Sequence, residues 1–177
     1  MRPSLALTML GHARAVSAQQ GEPSQHVARA IYGQILVTSV VAALSEDKAA
    51  SAREILGGVV ITTLVFWLAH VYSAAAAAQL GHRHHLSWPE LRGEMRSEWP
   101  IVEAAFPTAA ILALGWTGVL STDAATNLAI GVGVTGLIGL GFQIGRRSGL
   151  TRLGTALAVA LSGAFGIAIV ALKVLVH

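Results

Sequence analysis

Cysteine is absent from the chain, which excludes both a disulfide framework and a thiolate metal centre and leaves the redox compartment open. Charge is scarce. Asp, Glu, Lys and Arg make up only 12% of the 177 residues, against roughly a quarter in soluble domains. Several reaction classes lack their residues as well: there is no HExxH metal pattern, no aspartate-rich prenyl or phosphoalcohol motif, no Walker sequence after a strand and no pair of intramembrane carboxylates. Ser162–Gly163 lacks the glycine two residues earlier that a serine nucleophile motif requires, since Ala160 stands there. An enzyme is therefore not expected.

What is present is apolar. Hydrophobic residues form 54% of the chain and the mean hydropathy is +0.63. Five windows are nearly free of charge: Ala30 to Leu44, Ile55 to Leu80, Ile101 to Leu120, Leu128 to Gly145 and Leu153 to Leu172. A membrane-crossing helix needs about 20 mostly apolar residues. Four windows qualify directly, and the first does so when extended from His26 to Ser45 with Arg29 snorkelling to the headgroups. The expected fold is an all-α polytopic membrane protein: a single domain over 26–177 with spans near 26–45, 55–80, 101–120, 128–145 and 153–172, preceded by a mobile tail over 1–25.

Counting basic residues orients these spans, because cytoplasmic segments collect Lys and Arg. With five crossings, one side carries Arg2, Arg14, Arg29, Arg83, Arg92, Arg96, Arg146, Arg147 and Arg152, and the other only Lys48, Arg53 and Lys173. Without the first crossing the division is even. The expectation is a cell-membrane protein with a cytoplasmic N-terminus and an extracytoplasmic C-terminus. The net charge of +3 and pI near 10.0 do not point to nucleic acid, because the basic residues flank apolar spans and form no separate domain.

The long connection, "GHRHHLSWPELRGEMRSEWP" at 81–100, places Ser87 three residues before Glu90, a capping-box pattern. Trp88, Leu91, Met95 and Trp99 then recur at helical spacing. The spacing predicts a short amphipathic helix near 88–98 in the cytoplasmic interface, with tryptophans at headgroup depth. His82, His84 and His85 are the weak metal-ligand candidates beside it, without a converging carboxylate.

Ionisable groups within apolar spans usually turn inward and pair. Arg29 and Glu103 lie at matching depth and are expected to form an ion pair. His70 falls roughly 15 Å above Leu80, near the midplane at a rise of about 1.5 Å per residue. It shares a stripe with Thr63, Trp67, Ala74 and Ala77, and Gln34 and Thr38 in the first span are its expected hydrogen-bonding neighbours. Gly141 and Gly145, with Gly154, Ala158, Ser162 and Gly166, predict close packing of the last two spans, on each other or across a subunit boundary. Pro107 predicts a kink in the third span.

Two functional readings follow. In one the protein is a channel or carrier component for protons, a small ion or a small solute, with His70, Gln34, Tyr32 and Thr38 along the path. In the other it is an accessory membrane subunit whose polar residues only pack helices and whose interfacial helix docks a partner. No cofactor is expected, since nothing supplies haem with a second ligand at the depth of His70. The expected partners are the lipid bilayer and a second copy or other membrane subunits.

Overall fold

The computed structural model describes residues 25–82 and 87–176. Every regular element among the described residues is helical: α1 (Gln25–Leu44), α2 (Ala52–His82), α3 (Trp88–Ser97), α4 (Pro100–Glu103), α5 (Phe106–Trp116), α6 (Thr122–Arg147) and α7 (Arg152–Val176). α1, α2, α6 and α7 are each long and apolar enough to cross a membrane. Their large apolar side chains face outward, among them Ile61, Val65, Leu68 and Tyr72 on α2 and Leu153, Leu161 and Ile167 on α7. Such faces suit lipid. The chain is an all-α polytopic membrane protein.

The expected tail falls almost wholly on residues 1–24, which lie outside the described residues. The third expected span, 101–120, is not one helix. α3–α4 and α5 meet at an angle of 53°. Pro107 has no N–H for the carbonyl of Glu103, so an unbroken helix cannot run through it, whereas a proline in the first turn of a new helix loses nothing. α5 also stops early. Gly118 takes a left-handed φ of +79° and the Val119 N–H reaches back to the Leu114 carbonyl at 3.0 Å, the closure that ends helices at a glycine.

Close contacts settle whether this bent segment traverses the bundle or turns back. The end of the bundle holding the start of α1 is called lower, and the end holding its finish upper. In the lower part Gly33 of α1 packs on Ile101 and Ala104, and Arg29 pairs with Glu98. At the other end of the segment, Gly115 packs on Ala125 of α6 and Ala52 of α2, both beside the upper loops. The bent segment therefore runs from one end of the bundle to the other, as a broken span. The start of α1 and the finish of α7 consequently lie at opposite ends.

An apolar core joins Val37 and Val41 of α1, Ile55 and Val59 of α2, Leu112 of α5, Ala129 and Ile130 of α6 and Ile169 of α7. A smaller cluster below it packs Trp67 and Val71 of α2 on Val102, with Leu91 and Met95 of α3 against it. Leu91 and Met95 thus face α2, while Trp88 and Trp99 stay exposed: the four residues expected at helical spacing divide, and α3 folds back on α2 through Leu91 and Met95. Its start is secured by Glu90, which accepts the Ser87 N–H at 2.7 Å and hydroxyl at 2.8 Å. Between α6 and α7 the small residues do meet, with Gly141 on Ala158 and Ser162, Gly145 on Thr155, and Gly166 on Val134.

Ser121 caps α6, its hydroxyl oxygen accepting the Ala124 N–H at 3.2 Å. Ser121→Ala is expected to cost about 1 kcal/mol, read as a lower melting temperature of the purified protein, while Thr122→Ala, beside the cap, is expected to cost less.

Candidate functional site

Residues two apart on a helix point about 200° away from each other, so Tyr32 and Gln34 face different neighbours. Tyr32 turns to α2. Its ring lies 4.9 Å from that of His70 and 6.3 Å from that of Phe66. Nδ1 of His70 is 2.9 Å from the Phe66 carbonyl of its own helix, and since a carbonyl only accepts, Nδ1 carries a proton and donates it there. This pair is partly exposed at the bundle surface. Tyr32 stands roughly 10 Å above Gln25, so His70 beside it lies below the middle of the bundle. The expected partnership of His70 with Gln34 or Thr38 is not formed, because both of those residues are rotated onto α6.

On that face, Gln34 packs against Gly136 and Thr38 against Gly133. Thr38 donates its hydroxyl to the Gln34 carbonyl at 2.7 Å, the usual outlet for a threonine within a helix, and Thr135 does the same to Gly131. Three other threonines do not. The Oγ1 atoms of Thr63, Thr108 and Thr126 and the Nε2 of Gln34 are buried without a hydrogen-bond partner among the described residues. The glycine contacts set the register of the helices. At about 1.5 Å per residue, Thr38, Thr63 and Thr108 fall within about one turn of the same height. Gln34 sits one turn lower and Thr126 about two turns higher. These polar side chains, contributed by α1, α2, α5 and α6 to an otherwise apolar interior, are called the seam below.

Each end of the seam carries charge. Above, a cavity of about 690 Å³ lies between the α1–α2 loop and the start of α6, lined by Asp47, Lys48, Asp123 and Asn127 and by Thr126 of the seam itself. Below, Arg29 holds Glu98 at 2.9 Å with the carboxylate side chain only 6% exposed, and His26 faces Glu103 at 3.9 Å, both more open. The expected Arg29–Glu103 pair is replaced by these two. The chain turns between α3 and α4 at Glu98, which brings that carboxylate under α1, and Glu103 is left to the next turn of α1 down.

Thr63, Thr108 and Thr126 were not singled out from the sequence as path residues; threonine within an apolar span is ordinary there, and the orphaned hydroxyl is a property of the packing. His84 and His85 lie outside the described residues, and among the described residues no group of three or more His, Asp or Glu side chains gathers to hold a metal ion. The fold defines a helical membrane protein whose largely apolar interior holds a few buried polar side chains. Comparison with protein-family models, curated proteins and solved structures finds no match.

Proposed function

We propose that the protein is a channel or carrier component for a small ion or small polar solute, with the buried seam as its path. The observation that carries this reading is the set of four buried polar atoms, on Gln34, Thr63, Thr108 and Thr126, without a hydrogen-bond partner among the described residues. Polar groups that serve only to join helices in lipid bond to one another. Left unpaired, each costs about 1–3 kcal/mol, and no lipid tail can compensate them. A passing ion or solute, with its water, can.

On this reading the upper cavity is the vestibule and the two lower ion pairs flank the exit. Thr38 and Gly133 are in close contact on this path, so conduction requires α6 to withdraw from α1 at that level. His70 stands aside from the path. The bias of arginine toward the lower end supports a cell-membrane protein with that end, and the N-terminus, in the cytoplasm.

Thr108→Val tests the proposal, since it deletes an orphaned hydroxyl at nearly constant volume. Flux of protons, alkali cations and small neutral solutes would be followed in proteoliposomes. The altered protein is expected to melt no lower than the original, because an unsatisfied group is removed, and to lose roughly tenfold in flux, the worth of about one hydrogen bond. His70→Ala is expected to leave flux unchanged. The second reading, an accessory subunit, is favoured by the tight seating of Gly133 on Thr38. It predicts the reverse pattern: no flux from the unaltered protein, and a lower melting temperature for Thr108→Val because the hydroxyl was holding helices.

A further inference from the structure

The groove between α2 and α3 has a composition that the seam does not explain. It has a volume of about 550 Å³ and is lined by the apolar Trp67, Pro89, Met95 and Trp99 together with Gly93, Arg92 and Arg96. Its apolar wall is rigid. The Trp67 indole N–H donates to the Met95 carbonyl at 3.3 Å, and the Trp67 and Trp99 rings meet edge to face, 5.8 Å apart at 85°. Gly93 belongs to the lining as well, and a Cβ added there would meet no heavy atom within 4 Å, so a larger side chain can be accommodated at this position.

The arginines are set for an anion. Positions four apart on a helix share a face, so Arg92 and Arg96 stand one above the other. The Arg92 guanidinium lies 5.2 Å from the centre of the Trp88 ring, which steers it. Among the described residues the ion pairs within 4.0 Å involve Arg29 and His26, so neither arginine of the groove has a carboxylate partner there. Two exposed guanidiniums beside a tryptophan-walled slot complement a ligand with an anionic head and an apolar tail. α3 is amphipathic and connects two membrane-crossing segments, which puts the groove at the headgroup level, where basic pockets collect acidic lipids.

We infer that this groove is a specific site for one anionic phospholipid, the phosphodiester held by Arg92 and Arg96 and an acyl chain laid against Trp67, Met95 and Trp99. Phosphatidylcholine fits less well, because its own ammonium stands next to the phosphate. Free phosphate leaves the tryptophan wall unused. The site is independent of the seam, and its test does not involve transport.

Purified protein would be equilibrated with mixed micelles of phosphatidylglycerol and phosphatidylcholine, and the lipids retained on the intact protein counted by native mass spectrometry. One phosphatidylglycerol per chain is expected in preference to phosphatidylcholine. Arg92→Gln with Arg96→Gln is expected to lower its retention roughly thirtyfold, the effect of two arginines at a phosphate near the membrane. Gly93→Leu fills the slot with both charges kept, and is expected to lower retention at an unchanged melting temperature. Equal retention of the two lipids, retention in Gly93→Leu at the original level, or complete displacement by millimolar inorganic phosphate would overturn the assignment.

Discussion

Arg29→Ala is expected to destabilise the folded protein by about 3–5 kcal/mol, the usual cost of leaving one member of a buried ion pair alone. The Glu98 carboxylate is 6% exposed and 2.9 Å from the guanidinium, so after the substitution it keeps its burial and loses its partner. Thermal unfolding in a fixed detergent, followed by circular dichroism, reads the loss. Glu98→Gln placed on top of Arg29→Ala should restore most of it, since the charge that needed compensation is then gone. The double-mutant cycle gives the coupling directly. A loss of under about 0.5 kcal/mol, the range of ordinary surface substitutions, would show that the pair does not anchor α1 to the α3–α4 turn. Glu103→Gln is the contrasting case: its partner His26 is 3.9 Å away and both side chains are about half exposed, so little change is expected.

Gly33→Ala should destabilise, although alanine is the better helix former by about 1 kcal/mol. A Cβ at this position would stand 2.6 Å from the carbonyl oxygen of Ile101 and 2.9 Å from its Cα. These are backbone atoms and no rotamer change clears them, so α1 and α4 must separate, at a cost of about 1–3 kcal/mol for overpacking. Gly131→Ala makes the same chemical change where nothing lies within 4 Å, and is expected to be neutral or stabilising. Melting temperatures of the two variants should therefore move apart. Shifts of the same sign and size would mean that the α1–α4 contact is not formed in the membrane-embedded protein.

Much of this architecture was legible in the residues. The ends of α1, α2, α6 and α7 fall close to the charge-free windows because hydrophobic length is a local property. Ser121, Ser87 with Glu90, and Pro107 act where they stand, because a cap or a missing N–H needs only its own turn. The separation of Tyr32 from Gln34 was also readable, since two residues apart on a helix cannot share a face. The choice of Glu98 over Glu103 was not. Both carboxylates sit near the lower end of the bundle, and a break in the chain between α3 and α4 decides which of them reaches Arg29.

The seam marks the same boundary more sharply. Depth along a span follows from counting residues, so the heights of Thr38, Thr63, Thr108 and His70 could be ranked in advance. Which of them would face one another could not, because rotation of a helix about its axis depends on the neighbours it meets, and every face of these spans is apolar enough to accept lipid. Composition and length alone thus point to a chain of membrane-crossing helices and approximate where most of them lie, although α6 begins at Thr122, six residues before the expected start at 128. The packing of Gly33, Gly115, Gly133 and Gly136 against other helices turned Gln34 and the threonines inward, left His70 at the surface and carried the broken third span across, since such contacts exist only between segments remote in the chain.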